Sequence, residues 1–299
     1  MASGLVARGV GHAARRAGLR GIHPTRARRS GHTGVVSRRR TADDYEFFDA
    51  PFAAMAHRGG WDALVPARFE NSLLAFEHAV NDLGYRYVET DVHATADGVL
   101  VALHDTRLDR VTDMHGAVAG LPWRVVRRAR IGGSEPVPTM DEVFEALPNT
   151  RINIDIKESG AIAPLAAAIR AHRAEDRVCV ASFSPRRLAG FRALMGDRVA
   201  TSVSVGAVAW SAYVPWLPRV LNSGAQVFQI PTSQAFGAVG IPVLTRNLAR
   251  VAASRAMRIH VWTIDQSDEM VQLMDSGVDG IVSNRIDVLR RVARERALW

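Results

Sequence analysis

Across residues 46–299, short apolar runs take turns with longer segments that carry one apolar stripe. The runs have the length of strands and the stripes have the period of amphipathic helices. Strands are predicted at 53–57, 86–93, 99–104, 152–157, 178–183, 198–205, 225–231, 258–264 and 278–283. Helices are predicted at 71–83, 139–147, 161–173, 185–194, 245–256 and 266–275. Thr139 with Glu142 three residues on, and Ser267 before Asp268 and Glu269, read as helix starts. Strand and helix alternating over about 250 residues predicts a parallel sheet, and at this length a closed (β/α)8 TIM barrel rather than a doubly wound open sheet. No G-x-G-x-x-G follows an early strand, which weakens the nucleotide-binding form of the open sheet.

One connection breaks the alternation. Only Ala94 to Gly98 separate strand 86–93 from strand 99–104. A parallel crossover needs a dozen or more residues, so these two pair antiparallel, with Asp97-Gly98 in the turn. Eight staves remain, with 99–104 as a β-hairpin arm at the mouth. This register sets Asp91 opposite, or nearly opposite, His104.

Strand 152–157 alternates strictly. Ile152, Ile154 and Ile156 share one face; Asn153, Asp155 and Lys157 share the other. A buried charge needs a partner, a metal or an anion. Of the 38 basic residues, Lys157 is the one lysine. Codon bias on a solvated face is the plainer explanation. A compact ammonium is nevertheless not interchangeable with a guanidinium fork.

Charge is uneven along the chain. Residues 1–40 hold ten arginines and no acid, leaving 28 basic and 30 acidic residues in 41–299, a net of −2. The isoelectric point near 10.7 therefore belongs mostly to the first segment and gives no reason to expect nucleic acid as a partner. Residues 1–45 are expected to form a disordered Arg-rich leader, and 46–299 a single barrel domain. The leader lacks an apolar h-region, so it does not read as a secretory signal, and a mis-called start codon accounts for it equally well. Ser37-Arg38-Arg39-Arg40 resembles a twin-arginine signal, but acidic residues follow where the h-region belongs. No run of 18 apolar residues exists, so no transmembrane helix is expected and the cytoplasm is the expected location. The single cysteine, Cys179, reads as core filler.

Five local signals fall at strand ends, where barrel active sites lie. His57-Arg58-Gly59-Gly60 offers free backbone N–H groups to an anion. Glu70-Asn71-Ser72 opens a helix, with Glu70 able to reach the mouth. Glu89 and Asp91 share a face with His93, and two carboxylates so close call for a cation between them. His104-Asp105 ends the arm, and Asp155 and Lys157 end the alternating strand. Trp262 faces the mouth or supports its wall. Three carboxylates would hold a divalent cation; that cation, Arg58 and Lys157 would neutralise a phosphate; two histidines would serve as general base and acid.

The ordered series His-Arg-Gly, Glu-Asn, Glu-x-Asp-Val, Thr-x-Asp-Gly, His-Asp, Pro-Thr-x-x-Glu and Asp-x-Lys resembles the glycerophosphodiester phosphodiesterase family over roughly residues 52–290. The resemblance implies a TIM barrel with a small insertion at about 106–138 and hydrolysis of small-molecule glycerophosphodiesters to glycerol 3-phosphate and an alcohol. It implies Glu89, Asp91 and Asp155 as ligands of Mg²⁺ or Ca²⁺, His57 and His104 as catalytic residues, and Arg58 at the phosphate. Where the family carries Glu-x-Lys, this chain has Asp155-Ile156-Lys157, one methylene shorter. Glu70, Lys157 and Trp262 join Arg58 as expected substrate contacts. A phospholipase D-like enzyme acting on lysophospholipids or sphingolipids is the alternative, with the stretch 208–217 as an acyl-contacting lip; a helix packed on the barrel is the plainer reading of that stretch. His93 is given no role. His78 and His172 read as surface residues, His260 as structural, His115 and Asp113 as entrance residues, and Asp279 to Asn284 as barrel closure.

Overall fold

The computed structural model describes residues 39–213, 224–236 and 239–299. Residues 1–38 of the expected leader, and 214–217 of the expected lip, lie outside these. Eight parallel staves form the barrel: β1 Ala53–Trp61, β2 Tyr87–Ala94, β3 Arg151–Ile156, β4 Val178–Ala181, β5 Ala200–Thr201, β6 Val227–Ile230, β7 Arg258–Val261 and β8 Gly280–Arg285. Neighbours pair in the order β5-β4-β3-β2-β1-β8-β7-β6. A parallel bridge between Ser202 and Val227 joins the two ends. The expected (β/α)8 barrel is thus the observed fold.

A helix follows each stave: α1 Leu73–Glu77, α2 Met140–Ala146, α3 Ile162–Ala171, α4 Pro185–Met195, α5 Val205–Tyr213, α6 Arg246–Ser254, α7 Ser267–Ser276 and α8 Ile286–Glu295. The expected start of α2 is present as a capping box, with Thr139 Oγ1 accepting from the Glu142 N–H and the Glu142 carboxylate accepting from the Thr139 N–H. Helix α5 occupies the first part of the stretch read as lip or packed helix, and it packs Val208 and Ala212 inward. The stave expected at 198–205 is shorter, because Ser204 and Val205 already turn into α5. An antiparallel pair, Ser233–Phe236 with Val239–Pro242, follows β6 and was not anticipated.

The arm behaves as the short connection required. Leu100–Ala102 pairs antiparallel with β2, Val92 opposite Ala102, and the Leu103 N–H donates to Asp91 O at 3.0 Å. Asp91 is therefore level with Leu103, one residue from His104. Every residue of β2 is buried, as expected for a stave covered on both faces. Residues 106–138 carry their own small core, in which Leu108, Val118, Val126 and Ile131 pack on Val101 and Leu103 of the arm.

Residues 42–45, expected to belong to the leader, pack on the barrel. Two short 3₁₀ turns, Ala42–Asp44 and Glu46–Phe48, bury Ala42, Tyr45, Phe47 and Phe48. They close the N-terminal end of the barrel against Met55, Tyr87, Cys179, Val227 and Val282. The physical reason is aromatic content: Tyr45, Phe47 and Phe48 are large apolar groups that composition averaged over an arginine-rich stretch conceals. Among the described residues, no helix is long and apolar enough to cross a membrane.

Candidate active site

At the C-terminal end of the staves lies a cavity of about 380 Å³. His57, Arg58, Glu89, Asp91, His104, Asp155, Lys157 and Trp262 all line it. Eight of the nine residues singled out in the sequence are thus brought to one wall or another. The ninth, Glu70, lies behind Arg58: Arg58 Nη1 donates to its Oε1 at 3.1 Å, and Arg110 holds both of its oxygens, at 2.5 and 3.1 Å. Two guanidiniums thus occupy its carboxylate, and it meets the cavity through the arginine that lines it.

Strand geometry places the charges. Successive side chains on a stave point to opposite faces, so residues two apart climb the same face. On β3, Asn153 and Asp155 face inward and Lys157 follows at the rim; on β2 the inward residues are Tyr87, Glu89 and Asp91. Asp91 and Asp155 stand level in the register, and Lys157 Nζ bridges them at 2.8 and 2.7 Å. Asp91 also accepts from Asn71 Nδ2 at 3.3 Å and forms an ion pair with Arg58, whose Nε lies 3.1 Å from its Oδ2. Burial would raise the Asp91 carboxyl, but Lys157 and Arg58 hold it below the ordinary value. Asp155 has Lys157 as its side-chain partner, and its Oδ1 is buried without a hydrogen bond. There burial outweighs the ammonium and raises the carboxyl. Glu89 is raised well above the carboxylate range, first by burial and then by Asp91. Lys157 gains more from Asp91 and Asp155 than burial removes, so it stays charged.

Arg58 adopts a left-handed backbone, φ 54°. A side chain there is uncommon. Two bonds hold it: the Arg58 N–H donates to Glu89 Oε2 at 3.2 Å and Asn71 N–H donates to Arg58 O at 2.8 Å. Gly59 follows at φ 85°, where a Cβ would come 2.7 Å from that of Ala75. The glycine therefore lets β1 pass α1 and turn Arg58 toward the cavity.

The two histidines have different partners. His57 Nδ1 is 2.6 Å from Asn284 Oδ1, and Nε2 is 3.7 Å from Glu89 Oε2. Burial and then Arg58 lower its affinity for a proton. His104 Nδ1 is 2.6 Å from Asp105 Oδ1, and Arg110 Nε donates to Asp105 Oδ2 at 2.6 Å. Arg110, in the insertion, thereby joins the His104 side of the mouth to the Glu70–Arg58 side. His93 Nε2 lies 3.1 Å from the backbone oxygen of His104 and fixes the arm from below.

Several sequence readings change here. Asn284, assigned to barrel closure, touches His57. Ser283 pairs with Ala56, and the next residues along the two staves, Asn284 and His57, meet through their side chains. His78 is buried, not on the surface, because Asp62 and Asp82 clamp its two nitrogens at 2.9 and 2.8 Å. His115 is exposed and pairs with Asp109 at 3.4 Å, outside the cavity lining. His260 is buried and structural, tilted 5.9 Å from the Phe48 ring. Trp262 packs edge-on against Phe183 at 5.7 Å and supports the wall it also lines.

Opposite the charged wall the cavity is apolar: Phe183, Val203, Val208, Ala212, Ile230 and Trp262 face it. Among the described residues, no three histidine, cysteine or carboxylate groups already converge as a metal cage. The donor set still suits a hard divalent ion. It consists of carboxylates, and one of their buried oxygens has no hydrogen-bond partner.

A barrel with two histidines, an arginine, a lysine and three carboxylates at its carboxyl end has the equipment of a phosphodiester hydrolase. The fold is that of solved phosphodiesterases. One, from Oleispira antarctica and solved in complex with the product sn-glycerol-3-phosphate, superposes with a TM-score of 0.68 at 22% identity, covering 83% of this chain and 99% of that one. A glycerophosphodiester phosphodiesterase from Agrobacterium tumefaciens str. C58 superposes with a TM-score of 0.66 at 22% identity over 80% and 99%. In sequence, the "Probable glycerophosphodiester phosphodiesterase 2" of Mycobacterium tuberculosis is 40% identical over 251 residues, 82% of this chain and 92% of that protein. The model of the glycerophosphoryl diester phosphodiesterase family matches residues 57–288, and the chain belongs to that family.

Proposed function

We propose that the cavity hydrolyses glycerophosphodiesters to glycerol 3-phosphate and an alcohol, with His57 as general base and His104 as general acid. The observation that carries this reading is that both histidines line one cavity together with Arg58 and Lys157. Arg58 and Lys157 bind the phosphoryl oxygens. His57, whose Nδ1 faces an amide oxygen, takes the proton of the attacking hydroxyl: either water, which gives glycerol 3-phosphate directly, or the substrate's glycerol 2-hydroxyl, which closes a cyclic phosphodiester that water then opens to glycerol 3-phosphate. His104, whose Nδ1 faces the Asp105 carboxylate, gives a proton to the leaving alkoxide; a carboxylate behind an imidazole fixes its orientation. Positioned proton transfer of this kind contributes about 10²–10⁴ in rate.

Glu89, Asp91 and Asp155 would hold a divalent cation, Mg²⁺ or Ca²⁺. When bound, such an ion polarises the phosphoryl oxygens as a Lewis acid. The unpartnered Asp155 Oδ1 supports the assignment. The test is an activity panel of glycerophosphodiesters run after chelation and with Mg²⁺, Ca²⁺ or Mn²⁺ restored. Undiminished turnover in excess chelator removes the cation from the reading.

The apolar wall favours a second reading, a lysophospholipid or sphingolipid whose chain lies along Phe183, Val208 and Trp262. Trp210 and Tyr213 of α5 are half exposed and extend this surface. Rates on glycerophosphocholine and lysophosphatidylcholine separate the two: the first reading requires the former to be the better substrate.

A further inference from the structure

Behind His57 stands a second carboxylate that the mechanism above does not use. Asp265 lies in the loop between β7 and α7. Its Oδ1 accepts from Ser283 Oγ at 3.0 Å and from the Asn284 and Arg285 N–H groups at 2.9 and 3.4 Å. Its Oδ2 accepts from Asn284 Nδ2 at 2.9 Å. Four donors converge on this one carboxylate, and only one of them comes from the group that touches His57.

The orientation of an amide is ordinarily ambiguous, since its oxygen and nitrogen are nearly the same size. Here it is not. An ionised carboxylate only accepts, so Asn284 must turn its Nδ2 to Asp265. Its Oδ1 then faces His57 Nδ1 at 2.6 Å, and an amide oxygen also only accepts. The ring must therefore carry its hydrogen on Nδ1. In the neutral imidazole this leaves the lone pair on Nε2, on the side of Glu89 and the cavity.

We propose that Asn284 and Asp265 are positioning residues that fix the tautomer of His57, so that Nε2 always presents its lone pair to the cavity. The inference rests on the reading of His57 as general base. Asn284 acts by contact with the ring; Asp265 acts through Asn284 alone. The chain of acceptor, donor, acceptor and donor has one consistent arrangement, and it runs from β7 through β8 to β1. Barrel closure at β8 therefore also sets the proton position on a residue of the first stave.

The experiment is nitrogen-15 NMR of the histidine rings, with His57 assigned by its loss in His57→Gln, together with steady-state kinetics. Wild type should show His57 with its hydrogen on Nδ1. In Asp265→Asn the three donors on Oδ1 keep the new amide oxygen in place, so its nitrogen faces Asn284, which must turn its Oδ1 to it and its Nδ2 to His57; the signal should move to hydrogen on Nε2. kcat should fall at least ~10-fold with KM unchanged, as for other outer partners of a working histidine. Asn284→Ala keeps the Ser283 and backbone donors of Asp265, so it guards against simple misfolding; it leaves Nδ1 without its acceptor and should give a tautomer mixture, with a smaller kcat loss than Asp265→Asn. Hydrogen on Nε2 in wild type overturns the proposal, and so does an unchanged Nδ1 signal with wild-type kcat in both variants. Failure of the underlying reading looks different: His57→Gln would then retain activity whatever the tautomer.

Discussion

The two ends of the barrel are built on the same inward face of the same staves. On β1 that face runs Ala53, Met55, His57; on β2, Tyr87, Glu89, Asp91; on β8, Val282, Asn284. Two residues along a strand separate a core position from a catalytic candidate. The lower end is filled by Met55, Tyr87, Cys179, Val227 and Val282 and closed by Phe47 and Phe48. The upper end gathers three buried carboxylates against one arginine and one lysine. Burial of apolar area stabilises the first, whereas burial of like charges opposes folding in the second. Stability and chemistry are thus separated by depth rather than by element, and substitutions at the two depths should fail in different assays.

The largest effect is expected at the top. His57→Ala and His104→Ala should each lower kcat on a glycerophosphodiester by about 10²–10⁴ with Tm unchanged. A loss of Tm instead would place these side chains with the core. At the bottom, Phe47→Ala should destabilise by about 3–5 kcal/mol in chemical denaturation while leaving kcat per folded molecule intact. If kcat falls as well, the two ends are coupled and the separation by depth does not hold.

His260 gives the lower end a pH dependence. Burial and Arg258 push its ring down to about 3, from 6.5 in the unfolded chain. Below pH 6.5 the unfolded chain therefore takes up a proton that the folded chain refuses. Stability is lost as pH falls through that window toward about 3, by up to about 1.4 kcal/mol per pH unit. Denaturation at pH 7 and pH 5 should show a smaller loss for His260→Gln than for wild type; equal slopes would remove His260 from the account.

Lys157→Arg keeps the charge but replaces a point that fits between Asp91 and Asp155 with a wide fork. Roughly tenfold lower kcat/KM is expected, the lower range for a group that orders site carboxylates. The smallest effect carries the opposite sign. Glu89→Gln neutralises a carboxyl whose burial raises it far above its ordinary value, so Tm should rise, with a gain of about 0.5–2 kcal/mol, as activity is lost. A lower Tm would show that Glu89 supports the fold.

Much of this was legible in the chain itself. Strand and helix spacing gave the barrel, and five residues between two apolar runs required the antiparallel arm. The strict alternation of 152–157 placed Asp155 and Lys157 on the inward face. The features that escaped are those whose meaning depends on a distant partner. Asn284 is an ordinary polar residue at a strand end until β8 closes on β1. Asp265 has no local pattern at all. His78 occupies a helical position that reads as exposed, and Asp62, from the loop before α1, closes over it opposite Asp82. Ala42 and Tyr45 fall within the arginine-rich stretch, whose composition hides that they pack on the body.

The plug at the lower end also has a consequence in time. Asp43 pairs with Arg258 at 2.6 Å across 215 residues of chain, the Ala42 N–H donates to Ala256 O, and the Tyr45 hydroxyl donates to Asp197 O. A ribosome adding about 5–20 residues per second needs roughly ten to forty seconds to travel that distance. Throughout that interval Phe47 and Phe48 have no barrel floor to enter. A segment made early docks among the last, and a nascent chain arrested before residue 256 should present these aromatics to chaperones while its first staves are already paired.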